Sequence, residues 1–174
     1  MAGEQQAAIE VLKQALQMEL EGKEFYTRAA SQSANELGRQ LLASLAAEED
    51  IHRQVFLQIY EGLRTKNAWP AVSFRPDGGQ QLRTVFAQAS ERVGTKLWSI
   101  ATELETVRIA RQMETRTFDF YQARRQAATS PIEKDFYEKL AAQEQEHGLV
   151  LTDYAEYLQD PAAWFVKKEH PSLD

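Results

Sequence analysis

The sequence predicts an all-α fold: a four-helix bundle of two repeated antiparallel helix pairs with a long crossover connection. Three observations predict it. One pattern occurs twice, 95 residues apart: Glu19 then Glu49-x-x-His52, and Glu114 then Glu144-x-x-His147. The same shift, without a gap, aligns Glu10 with Glu105, Ala15 with Ala110, Gln17-Met18-Glu19 with Gln112-Met113-Glu114, and Phe25-Tyr26 with Phe120-Tyr121. It also aligns Leu45-Ala46-Ala47 with Leu140-Ala141-Ala142 and Val55 with Val150. Finally, Gly and Pro are few, while Ala, Glu, Gln, Leu and Lys are plentiful, which favours helix. A solenoid needs three or more copies of a shorter period, so two copies point to a bundle with pseudo-twofold symmetry.

The elements follow in order. A first helix is expected from about residue 7 to 31, with Ile9, Leu12, Leu16, Glu19, Gly22, Tyr26 and Ala29 on one face. Ser33-Ala34-Asn35-Glu36 reads as a capping box opening a second helix to residue 63, with Leu41, Leu45, Glu49, His52, Phe56 and Ile59 as its stripe. The first helix pair is therefore 7–63. The crossover, 64–101, carries helix breakers at Asn67, Pro70, Pro76 and Gly78-Gly79. Within it a short amphipathic segment is expected over 80–92, burying Val85, Phe86 and Ala89, with Gly94-Thr95 as an interruption. Thr102-Glu103-Leu104-Glu105 reads as a further capping box, and the third helix runs on to Ala127 with Leu104, Val107, Ala110, Glu114, Thr117 and Tyr121 aligned. Ser130-Pro131-Ile132-Glu133 is the clearest helix start in the chain. The fourth helix shows Phe136, Leu140, Glu144, His147, Leu151, Tyr154 and Leu158, and Asp160-Pro161 ends it. The second pair is 102–160. A short tail, 161–174, brings Trp164 and Phe165 against the bundle or a partner, and its His170 carries no expected role. The whole of 1–174 reads as one domain.

Each of the four helices has an acidic residue within its apolar stripe. Burying a lone carboxylate is costly, and four together also repel one another. Glu and His at i, i+3 lie on one helix face. Two such pairs and two more carboxylates make the six-residue set of a dimetal site inside a bundle. Two divalent cations neutralise four carboxylates beside neutral imidazoles. The expected metal residues are Glu19, Glu49, His52, Glu114, Glu144 and His147. Tyr26 and Tyr121, seven residues past each single Glu, read either as donors to the carboxylates or as core aromatics. Glu48, Gln143 and Glu146 read as surface residues. The ligand types suit iron first, and also manganese or zinc.

Composition narrows the partners. The net charge of −6 and pI near 5.2 argue against nucleic acid. No apolar run approaches a membrane span, and the N-terminus lacks signal-peptide architecture, so a cytoplasmic protein is expected. The absence of Cys fits a reducing compartment and excludes thiolate-ligated centres from these residues.

The strings Met18-Glu-Leu-Glu-Gly-Lys-Glu-Phe-Tyr26, Leu45-Ala-Ala-Glu-Glu-Asp-Ile-His52, Met113-Glu-Thr-Arg-Thr-Phe-Asp-Phe-Tyr121 and Leu140-Ala-Ala-Gln-Glu-Gln-Glu-His147 carry a family resemblance. Over about residues 7–158 the chain resembles the ferritin-like di-iron carboxylate proteins. It is most similar to the rubrerythrin group, in an erythrin-like form lacking the rubredoxin domain. The resemblance implies a ferritin-like bundle in which Glu19 and Glu114 are terminal ligands, one per metal, Glu49 and Glu144 bridge, and His52 and His147 complete the two positions. Rubrerythrins carry a further ligand Glu three residues after the third-helix Glu, where this chain has Thr117. The set therefore looks like the symmetric six-ligand form of bacterioferritin-type centres. The function it implies is a di-iron oxidoreductase acting on hydrogen peroxide or dioxygen, a peroxidase or ferroxidase of oxidative-stress type. Its electrons would come from a separate, rubredoxin-like protein. An iron-storage protein, a metal-stabilised bundle without turnover, and hydroxylation of an organic substrate are the alternatives. A homodimer is expected, with exchange of helix pairs between chains left open.

Overall fold

In a computed structural model of the chain, the described residues are 2–66, 68–77, 79–80, 82–84 and 100–169. Five helices are described: α1 (Ala2–Gln32), α2 (Glu36–Lys66), α3 (Ile100–Ala127), α4 (Pro131–Gln159) and α5 (Pro161–Glu169). The fold is all-α, with the four long helices where the apolar stripes place them; α1, α2 and α3 extend a few residues further at one or both ends, and α4 has the expected bounds. The described part of the tail forms a helix. Asp160 Oδ1 accepts a hydrogen bond from the Ala163 N–H at 2.9 Å, so the residue that ends α4 also caps α5. Trp164 is buried edge-on to Tyr157, with ring centroids 5.7 Å apart. Of the segment expected over 80–92, residues 80 and 82–84 are helical, while Val85, Phe86 and Ala89, like Gly94, Thr95 and His170, lie outside the described residues.

Two expected caps are different. Ser33 does not cap α2. Asn35 does, its Oδ1 accepting from the Leu37 N–H at 3.0 Å, while Ser33 Oγ accepts from the Asn35 N–H at 3.2 Å and donates to Glu103 Oε1 at 2.7 Å. Nor does Thr102 open α3, which already runs at Ile100; the Thr102 carbonyl accepts from Thr106 Oγ1 at 3.0 Å. In both places a Ser/Thr-x-x-Glu string coincides with a buried polar contact around Glu103, which the local pattern does not register.

Side-chain pairings give the helix directions. Tyr26 on α1 reaches Glu114 on α3, and Tyr121 on α3 reaches Glu19 on α1. Moving forward on one helix therefore means moving backward on the other, so α1 and α3 are antiparallel. His52 pairs with Gln143 and His147 with Glu48, which makes α2 and α4 antiparallel in the same way. Since α1 and α2 form a hairpin, α2 and α3 run in the same direction. The end of α2 and the start of α3 therefore lie at opposite ends of the bundle, about 45 Å apart for helices of some 30 residues.

The crossover packs on the way. Phe74 is buried, edge-on to His52 with centroids 5.7 Å apart, and Trp69 packs on Phe136 and Tyr137. A side chain at Gly62 would meet Pro70 at 2.7 Å, so glycine lets the proline lie on α2. Gly79, at φ 73, takes the left-handed conformation from which the helical turn at 80 starts.

The core is two apolar blocks. One contains Leu37, Leu41, Leu45, Val107, Ala110, Leu151 and Tyr154; the other contains Leu12, Ala15, Phe56, Ile59, Phe136 and Leu140. Repeat-related positions are buried alike, as at Ala15 and Ala110 or Leu45 and Leu140. Each fully buried Leu contributes roughly 1.5–3 kcal/mol. Between the blocks lies a belt of acidic and histidine side chains. No helix among the described residues is long and apolar enough to cross a membrane.

Candidate metal centre

All six expected residues meet in that belt, and all come from one chain. Glu19 and His52 are wholly shielded from solvent, as is His147; Glu49, Glu114 and Glu144 are nearly so. Two groups form. Glu19, Glu49, His52 and Glu144 bring one oxygen or nitrogen each to within 4.8 Å of one another, and Glu49, Glu114, Glu144 and His147 do the same. Glu49 and Glu144 belong to both. Each imidazole turns Nδ1 inward: His52 Nδ1 is 3.1 Å from Glu19 Oε2 and 3.3 Å from Glu144 Oε1, and His147 Nδ1 is 3.4 Å from Glu49 Oε1. The two rings are stacked 5.8 Å apart. Glu114 Oε2, both Glu144 oxygens and His147 Nδ1 are buried and make no hydrogen bond. Orphaned acceptors of this kind cost about 1–3 kcal/mol each, more when charged, unless something electropositive completes them.

The charges show the same need. Burial pushes the Glu49 carboxyl well above the usual range, and the charges of Glu19 and Glu144 push the same way. Glu144 is raised to about 8, by burial first and then by Glu114. Burial works against charged imidazoles, but Glu19 and Glu144 outweigh it at His52, and Glu114, Glu48 and Glu49 outweigh it at His147, so both are raised well above 6.5. Burial also opposes ionisation of Glu19 and Glu114, yet the nearby histidines and several hydrogen bonds leave both lower than usual. With nothing bound, protons on Glu49, Glu144, His52 and His147 stand where cations would. All four are raised by folding, so their stabilisation is complete at low pH and is lost as pH rises through the folded values. The thermal midpoint of chelator-treated protein is therefore expected to fall between about pH 5 and pH 9, and divalent metal should remove the fall. Scanning calorimetry across that range checks it; a midpoint that climbs with pH would contradict the arrangement.

The profile of the rubrerythrin family matches residues 10–155. The chain belongs to the rubrerythrin family. Comparisons with curated proteins and with solved structures returned no match. The family match and the buried Glu/His belt together make this a metal-binding site.

Where rubrerythrins place an additional Glu, Thr117 is buried and spends its hydroxyl on its own helix, donating to the Met113 carbonyl at 2.7 Å. The repeat-related position is Gly22, where a Cβ would stand 3.0 Å from Glu49 Oε2. Neither position offers a carboxylate. Tyr26 and Tyr121 are donors as well as core aromatics, and each crosses to the other half: Tyr26 donates to Glu114, Tyr121 to Glu19.

Glu48 and Gln143 are not surface residues. Both are buried, and both serve the histidines. His147 Nε2 is 2.9 Å from Glu48 Oε2, and His52 Nε2 is 3.0 Å from Gln143 Oε1. Gln143 Nε2 donates to Glu48 Oε2 at 2.9 Å and closes the network. With Nε2–H donated outward, each Nδ1 faces the centre and, once deprotonated, can serve a cation there. Glu48 and Gln143 are themselves related by the 95-residue shift, a signal that was in the sequence. The expectation for Glu146 is different again: it is half-buried and ion-paired with Arg83 of the crossover.

Proposed function

We propose that the protein is a non-haem di-iron oxidoreductase of the rubrerythrin type that reacts with hydrogen peroxide or dioxygen. Glu19, Glu49, His52 and Glu144 would hold one ion and Glu49, Glu114, Glu144 and His147 the other, with Glu49 and Glu144 shared. The observation that carries the reading is this sharing: two groups of four, overlapping in two carboxylates, as a pair of ions a few ångströms apart requires. The orphaned Glu114, Glu144 and His147 atoms fit cations in that place. Hard carboxylates with imidazole suit iron.

When bound, two ferrous ions supply the two electrons that reduce peroxide to water. The chain's own residues prepare for it. Tyr26 and Tyr121 fix the terminal carboxylates Glu114 and Glu19. Glu48 and Gln143 set the imidazole tautomers. The two apolar blocks keep bulk water from the belt, which strengthens each interaction inside it. None of the 174 residues is Cys, so the electrons would come from a rubredoxin-like centre outside them; the working unit we propose is a homodimer.

The test is metal analysis followed by single turnover. The purified chain should hold two irons, and one equivalent of peroxide should oxidise both ferrous ions of the reduced protein faster than oxygen does. Failure to hold two irons would reject the dimetal centre. Oxidation by oxygen alone, with ferric ion released, would instead make the protein an iron-storage oxidase.

A further inference from the structure

The metal-binding residues are repeat-related, but the surfaces above them are not. Between α3 and α4 a cleft of about 260 Å³ is lined by Arg111, Thr115, Phe118, Gln145, Gly148 and Thr152, and its most buried lining residues are Glu114 and Glu144. A Cβ at Gly148 would lie 4.0 Å from Glu114 Cβ, so any larger side chain there would grow into the space above the belt.

On the repeat-related side, between α1 and α2, the residues at the positions of Phe118, Gln145 and Gly148 are Lys23, Asp50 and Arg53. They form a cover. Asp50 Oδ1 accepts from Lys23 Nζ at 2.8 Å and from Arg53 Nε at 3.0 Å, joining the two helices. Thr115 and Thr152 are matched there by Leu20 and Leu57. A further gap, between α1 and α3 beside Gly22 and Thr117, measures only about 10 Å³, the space of one water. In the open cleft, Arg111 makes no ion pair among the described residues, and its cation favours an approaching anion.

We propose that small exogenous ligands of the metal pair, neutral or monoanionic and of peroxide or azide size, reach it through the α3–α4 cleft and not through its counterpart between α1 and α2. They arrive at the ion beside Glu114 and His147. The inference rests on the dimetal reading above and deepens it.

Azide is the probe, because its binding forms a coordinate bond without electron transfer. The full chain is loaded with ferric ion, the metal is counted, and azide association is followed by its charge-transfer absorption. Gly148→Leu should keep two irons per chain and lower the azide association rate at least about tenfold. Phe118→Lys with Gln145→Asp and Gly148→Arg, which rebuilds the α1–α2 cover on the open side, should do the same. Adding Asp50→Gln and Arg53→Ala to Gly148→Leu should recover the rate by opening the other side. Unchanged azide association in both closed variants at full iron loading would overturn the proposal. If the unaltered chain itself does not hold two irons, the dimetal reading fails first, and the inference falls with it.

Discussion

Glu49→Ala and Glu144→Ala are each expected to empty the centre of both ions, whereas Glu19→Ala or His52→Ala empties one position. The difference follows from membership: Glu49 and Glu144 each contribute to both four-residue groups, while Glu19, His52, Glu114 and His147 contribute to one. Removing a shared carboxylate leaves two dications facing three carboxylates in a buried belt. An uncompensated buried charge costs about 3–5 kcal/mol. Since both ions lose the same partner, each affinity should fall by roughly two to four orders of magnitude. Metal per chain after gel filtration, for all six single variants, decides the matter. Loss of one ion from every variant alike would remove the shared role.

Gly38→Ala is expected to destabilise the protein by about 2–4 kcal/mol, although in most helices the change would help. Alanine in place of a helical glycine gains about 1 kcal/mol. Here the new Cβ would overlap the Glu103 carboxylate and the Tyr154 hydroxyl, and would stand 2.6 Å from Ser33 Oγ. These three are already a tight buried cluster, Ser33 Oγ and Tyr154 O–H donating to Glu103 Oε1 at 2.7 and 2.8 Å. Hydrogen bonds to a charged group contribute about 1.5–3 kcal/mol each, and pushing the donors away strands a buried carboxylate. The loss exceeds the helical gain. At roughly 2–4 °C per kcal/mol for a chain of this size, the midpoint should drop by about 5–15 °C. A midpoint that rises would show that the cluster repacks without cost.

What the sequence disclosed, it disclosed through long-range regularity. A 95-residue shift that preserves apolar and acidic positions together is legible without any coordinates, and it led to six residues that meet in space. What stayed hidden was contact between the halves. Glu48 and Gln143 lie among exposed acids and amides, and nothing local separates a Glu that faces a histidine of another helix from one that faces water. The pairing of Tyr26 with Glu114 and of Tyr121 with Glu19 depends on α1 and α3 being antiparallel, which no local pattern on either helix records. Ser33 and Thr102 were misread for the same reason: a capping pattern weighs neighbours in the chain, and the partner that claims Ser33 Oγ is Glu103.

The contact between Glu48 and Gln143 bears on which halves can pair. In a pair of identical halves the position would meet itself across the twofold axis, as Glu against Glu or as Gln against Gln. Two carboxylates in that place repel, and two amides bring no charge to either histidine. Only unlike halves place one acid and one amide there, with the amide N–H on the acid and an imidazole on each. The unlike residues at the two positions make a first half prefer a second half to another first. Whether that second half belongs to the same polypeptide or to a neighbour, the complementarity is the same, so the asymmetry enforces heterotypic pairing in a fold whose outline is still symmetric.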